Sequence, residues 1–84
     1  MTTAEIRAAV LKALRSVAPE TEGLPVDDLL PLREQFDLDS MDFLNFLVAV
    51  HLTLGVEIAE KDYPKLATVN GCVKFVEAAL QRAA

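Results

Sequence analysis

Asp39-Ser40-Met41-Asp42-Phe43-Leu44-Asn45-Phe46-Leu47-Val48-Ala49-Val50-His51-Leu52-Thr53-Leu54-Gly55 is the stretch on which the fold turns. It opens on residues that cap helices and closes on a glycine suited to end one. Phe43, Leu47, Val50 and Leu54 stand at i, i+4, i+7 and i+11 and predict one buried stripe. Met41, Leu44, Phe46, Val48 and Leu52 lie off that stripe, and only Asp42, Asn45, His51 and Thr53 break the apolar surface. A helix over 40–54 that is apolar nearly all round is either central to a core or presents an apolar face to a partner.

Elements on either side supply the rest of a bundle. Thr2 and Glu5 stand at capping-box spacing, and Ile6, Val10, Ala13, Leu14 and Val17 recur at helical intervals. They predict a first helix over about residues 3–17, with Pro19 just beyond its end. Residues 18–39 read as a long loop punctuated by Pro19, Gly23, Pro25 and Pro31. Leu24, Val26, Leu29, Leu30, Leu32, Phe36 and Leu38 make that loop too apolar for a floppy linker. It is expected to pack across the helices, with a turn of helix at 26–30. After an extended link at Val56-Glu57-Ile58, Glu60 to Tyr63 predict one helical turn stopped near Pro64. Thr68 then caps a last helix that buries Val69, Cys72, Val73, Val76, Ala79 and Leu80. The expectation is an all-α four-helix bundle: three main helices, one short one, and a long loop between the first two.

Bulk properties narrow the function. Eighty-four residues make one domain, 1–84, near the small end of what folds alone. With 52% hydrophobic and 25% charged residues the chain is globular, and it has no room for a large substrate-enclosing cavity beside a packed core. The formal charge of -5 is unevenly placed. From Glu20 to Asp62, eleven acids oppose only Arg33 and Lys61, a net -9, whereas residues 1–19 and 63–84 each carry +2. Such a field repels nucleic-acid phosphates and favours basic protein partners, although solubility alone is the plainer account of charge. A single cysteine excludes an intrachain disulfide and a Cys-based zinc site. The first residues lack the basic and apolar regions of a signal peptide, and no apolar run approaches a membrane span, so a soluble, cytoplasmic protein is expected.

Catalytic constellations fail on geometry. Ser40 and His51 lie on one helix, roughly 16 Å apart along its axis, too far to share the hydrogen bond that base catalysis requires. No Gly-rich phosphate loop and no metal-ligand spacing is present, so neither a catalytic residue nor a metal ligand is assigned. What remains is Phe36-Asp37-Leu38-Asp39-Ser40-Met41-Asp42, a serine at a helix start after an acidic loop. Taken locally this is an ordinary N-cap, with either Asp39 or Ser40 accepting a backbone N–H bond.

Its context is more specific. Asp39-Ser40-Met41-Asp42, the apolar helix, Gly55-Val56-Glu57-Ile58 and the Thr68-Val69 helix start together resemble the acyl carrier protein family, over essentially the whole chain. The family's hallmark is an Asp-Ser-Leu triplet opening its second helix, and here Met41 stands in place of the Leu. The resemblance implies that Ser40 is the attachment site of phosphopantetheine, whose thiol carries acyl groups as thioesters in fatty-acid or specialised lipid or polyketide-type biosynthesis. It implies a carrier with no catalytic group of its own, served by a phosphopantetheinyl transferase and by acyl-loading and acyl-processing enzymes. It also implies a monomer. Apolar residues available to line an acyl chain are Phe36, Phe43, Leu47, Val50, Ile58, Leu66 and Val69, which are equally the core. Partner recognition is expected at Asp39, Met41, Asp42, Leu44 and Val48. Where many fatty-acid carriers place Glu on the second helix, this chain has Asn45, His51, Leu52 and Thr53, which points to a specialised pathway or partner. The alternative is a helical adaptor that binds a protein through the 40–54 helix and is never modified.

Overall fold

The computed structural model describes residues 1–83. Along the chain lie α1 (Thr3–Val17), a 3-10 turn (Pro19–Thr21), α2 (Leu32–Phe36), α3 (Ser40–Leu54), a 3-10 segment (Glu60–Leu66) and α4 (Val69–Ala83). The described residues contain no strand, and none of their helices is long and apolar enough to cross a membrane. The fold is an all-α bundle in which α1 packs against both α3 and α4, and the 3-10 segment leans on α4.

Local chemistry sets the ends of the long helices. In α1 the Glu5 N–H donates to Thr2 Oγ1 at 3.1 Å while the Thr2 N–H donates to Glu5 Oε1 at 2.7 Å, the expected reciprocal cap. Ile6, Val10, Ala13 and Leu14 are its buried face. In α4, Thr68 Oγ1 accepts from the Gly71 N–H at 2.9 Å, and Val69, Cys72, Val73 and Val76 enter the core. Ala79 and Leu80 pack against that core without being fully covered. Burial pushes the Cys72 thiol up to about 12, so it behaves as a small apolar residue. Gly71 is held to glycine by a close approach: a Cβ there would run into the backbone carbonyl of Lys65 at the end of the 3-10 segment.

The core face of α3 differs from the stripe expected from its spacing. Phe46, Leu47 and Val50 are the buried residues, whereas Phe43 and Leu54 are only half-buried. Phe46, expected off the stripe, is 0% exposed. An apolar helix has no polar face to orient it, so the position of α1 and the rest of the core decides which residues are covered.

Two loop expectations are corrected. No helix forms at 26–30; the helix lies at 32–36 instead. Asp27 accepts from the Leu29 N–H at 2.9 Å, turning the chain, and the Gln35 amide grips Asp27 through both its N–H (2.9 Å) and its carbonyl (2.7 Å). Leu29 and Leu30 are exposed, so a helix there would have nothing to pack on, while Leu32, just after Pro31, is fully buried. Pro31 therefore starts a helix rather than ending one. The loop packs across the bundle through Leu32 and Leu38, but Leu24 also stays exposed. Three ties hold it down: the Leu32 N–H donates to the Ala67 carbonyl (2.8 Å), the Asn70 N–H donates to the Asp28 carbonyl (2.9 Å), and Arg7 pairs with Asp28 at 2.8 Å. Likewise the turn expected to stop near Pro64 continues as a 3-10 segment to Leu66. The fixed φ of proline suits 3-10 geometry, and the fully buried Leu66 draws the segment onto the core.

Candidate functional site

The site is the junction between α2 and α3. Asp37 ends α2 in the left-handed region (φ 52°), a conformation that Asp tolerates better than most side chains. The reversal it makes buries Leu38 and delivers Asp39 and Ser40 to the surface. Asp39 is the N-cap of α3. Its Oδ1 accepts from the Asp42 N–H at 2.8 Å, and the Asp39 N–H donates to Asp42 Oδ2 at 3.3 Å. Sequence left open whether Asp39 or Ser40 accepts the capping bond; the structure gives it to Asp39. Ser40 is thereby the first helical residue, exposed, with a hydroxyl that is not consumed as a cap.

One side chain approaches that hydroxyl. Arg33, on α2, donates from Nε to the Leu38 carbonyl (3.3 Å) and from Nη2 to Ser40 Oγ (3.4 Å). Sequence reading used Arg33 only in the charge count, yet a signal was present. It is the sole Lys or Arg between Arg15 and Lys61, seven residues before Ser40.

Beside Ser40 opens a groove of about 470 Å³, walled by Pro31, Phe43, Leu44, Tyr63, Pro64 and Ala67, with Arg33 and Ser40 at its polar end. Leu44 and Tyr63 also border an adjoining hollow of about 170 Å³ that reaches Val48, His51 and Ile58. Of the residues expected to line an acyl chain, Phe43 faces the groove and Ile58 and Leu47 the hollow. Val50, Leu66 and Val69 are fully buried in the packed core. Tyr63 and Pro64 were missed because they come from a segment distant in sequence and belong to no motif.

The outer face of α3 carries the other expected residues. Met41 (63% exposed), Leu44 (38%) and Val48 (47%) align with Leu52 (74%) at spacings of three and four, forming an apolar stripe in water. His51 stands apart from Ser40 chemistry: its Nδ1 lies 2.7 Å from the Val56 carbonyl, tying down the chain just after the Gly55 cap.

Fold and site together define a small helical bundle that presents one serine and an apolar face on a common surface. No family model matches the chain. It is, however, 27% identical over 70 residues to an acyl carrier protein of Acidothermus cellulolyticus, an alignment spanning 80% of this chain and 83% of that protein. It is 23% identical over 73 residues to an acyl carrier protein of Rubrobacter xylanophilus, spanning 83% of this chain and 90% of the relative. The chain therefore resembles acyl carrier proteins across most of its length.

Proposed function

We propose that the protein is an acyl carrier protein, modified on Ser40 with phosphopantetheine and acting as a soluble, monomeric cytoplasmic carrier for acyl-loading and acyl-processing enzymes. The observation that carries the reading is the division of labour at the start of α3: Asp39 takes the cap, leaving the Ser40 hydroxyl exposed and spare. The residues present fit the group. Ser40 would hold it through a phosphodiester, beside backbone N–H groups at the positive end of α3, where an anion is favoured by about 0.3–1 kcal/mol. The apolar groove lies next to the attachment point.

In the modification step Ser40 Oγ forms the new P–O bond as the pyrophosphate bond of coenzyme A breaks. The hydroxyl proton passes to the transferase, and adenosine bisphosphate leaves. Once bound, the group supplies a thiol that stores acyl chains as thioesters. The chain's own residues position that thiol and dock partners. Asp39 and Asp42 flank the attachment point with negative charge that steers basic enzymes. Met41, Leu44 and Val48 offer apolar contact beside it. Burying the part of each side chain still in water gains roughly 0.5–2 kcal/mol, and the three together are enough to choose between partners.

Intact mass tests the reading. Wild type incubated with coenzyme A and a permissive phosphopantetheinyl transferase is expected to gain one phosphopantetheine, and Ser40→Ala none. An adduct persisting on the alanine variant overturns Ser40 as the site, and no adduct on wild type with several transferases overturns the carrier reading and leaves an unmodified adaptor.

A further inference from the structure

We infer that Arg33 is the cation that receives the phosphodiester on Ser40, pairing its guanidinium with the phosphate oxygens at the polar end of the groove; this rests on the Ser40 reading above. Three observations carry it. The first is placement. Arg33 is an exposed residue, yet its guanidinium is spanned across the α2–α3 junction by bonds to the Leu38 carbonyl and Ser40 Oγ. Of its five N–H donors those bonds use two, which leaves three for a phosphate's non-bridging oxygens.

Charge is the second. Arg33 lies in the segment of net -9, with carboxylates close by in sequence at Glu34, Asp37, Asp39 and Asp42. Among the described residues, the ion pairs within 4.0 Å engage Arg7 and Lys65, not Arg33. An arginine in acidic surroundings has thus been placed against a neutral hydroxyl rather than a carboxylate. The third is distance. At 3.4 Å the contact with Ser40 Oγ is far longer than the roughly 2.7–2.9 Å of a charge-assisted bond, so the hydroxyl alone does not satisfy the guanidinium. A phosphate attached to that same oxygen brings charged acceptors to the spot. Without such a cation, modification adds one more negative charge to a segment that already repels itself. With it, the new charge is neutralised at its point of attachment.

Melting temperatures of apo and holo protein test the pairing for wild type, Arg33→Gln and Arg33→Lys, at about 20 mM and about 0.5 M salt. Intact mass first verifies that each sample is loaded. Because Arg33 is exposed, the apo variants are expected to melt close to wild type. At low salt the holo-minus-apo difference is expected to fall by about 2–6 °C in Arg33→Gln relative to wild type. Arg33→Lys is expected to restore most of it, and the gap is expected to close at high salt. The phosphorus NMR resonance of the holo protein should also move between wild type and Arg33→Gln. An equal holo-minus-apo difference in wild type and Arg33→Gln at low salt, or a gap that salt does not reduce, overturns the role of Arg33 while the Ser40 reading stands. If wild type takes no adduct, the Ser40 reading itself fails, and the pairing falls with it.

Discussion

Truncating Phe46 to alanine removes a ring that solvent does not reach, at the centre of the contact between α3 and the rest of the bundle. A core Phe→Ala change costs about 3–5 kcal/mol, the lost transfer energy plus a cavity. A chain of this length has a total stability of only about 4–13 kcal/mol. Phe43→Ala makes the informative comparison. Phe43 is half-buried and lines an open groove, so its loss enlarges that groove without creating a sealed void. About 1–2 kcal/mol is expected from the covered part of its ring. The two rings lie 6.2 Å apart with planes tilted by 32°. Their mutual attraction, about 0.5–1.5 kcal/mol, is lost in either variant and cancels from the comparison. The remaining difference of about 2–3 kcal/mol corresponds to roughly 8–24 °C in melting temperature. Urea unfolding followed by circular dichroism measures it, provided the slope with denaturant stays constant between the variants. If Phe43→Ala proves as costly as Phe46→Ala, the orientation of α3 described above is wrong.

Three further outcomes are expected. Met41→Glu and Val48→Glu should melt close to wild type, because both side chains already stand in water, while binding to an acyl-processing partner weakens about tenfold or more and stays weak at high salt; unfolding of either variant, or unaltered binding, refutes apolar docking through α3. The Arg7 guanidinium holds the Asp28 carboxyl below its ordinary value of 3.8, so the pair stabilises the fold fully above about pH 5, and this contribution is lost as pH falls through 3.8 and then through the lower folded value. With both side chains more than a third exposed it is worth about 0–1 kcal/mol, and the melting gap between wild type and Arg7→Gln should shrink on acidification; a gap that persists undiminished to about pH 2 argues against it. Gly71→Ala should lose about 1–3 kcal/mol or more, since the added methyl meets the Lys65 backbone rather than a movable side chain, and a melting temperature equal to wild type contradicts the close approach.

What could be read from the chain before folding was whatever neighbours in sequence decide for themselves. The ends of α1 and α3 rest on caps that satisfy backbone groups three residues away: Thr2 with Glu5, and Asp39 with Asp42, with Gly55 closing α3 at φ 67°. The face of α4 is legible because apolar residues recur there among polar ones, and Val69, Cys72, Val73 and Val76 are buried as expected. Ser40 at a helix start follows from the same local rules.

Other features required atoms that are distant along the chain. Which side of α3 is core depends on where α1 and the rest of the core lie, because a helix apolar all round carries no polar stripe to choose for it; Phe46 and Phe43 exchange their expected roles on that account. The helix at 32–36 exists where Leu32 finds the core and its N–H finds the Ala67 carbonyl, a partner thirty-five residues away. The groove joins Pro31, Phe43 and Pro64, which share no local pattern. Arg33 comes to Ser40 only because Asp37 reverses the chain between two helices. Amino-acid sequence by itself determined the three long helices and the serine that opens α3, since i to i+3 and i+4 bonding is local. Tertiary structure alone decided what surrounds that serine, since burial and charge pairing are settled between segments that meet only when the chain is packed.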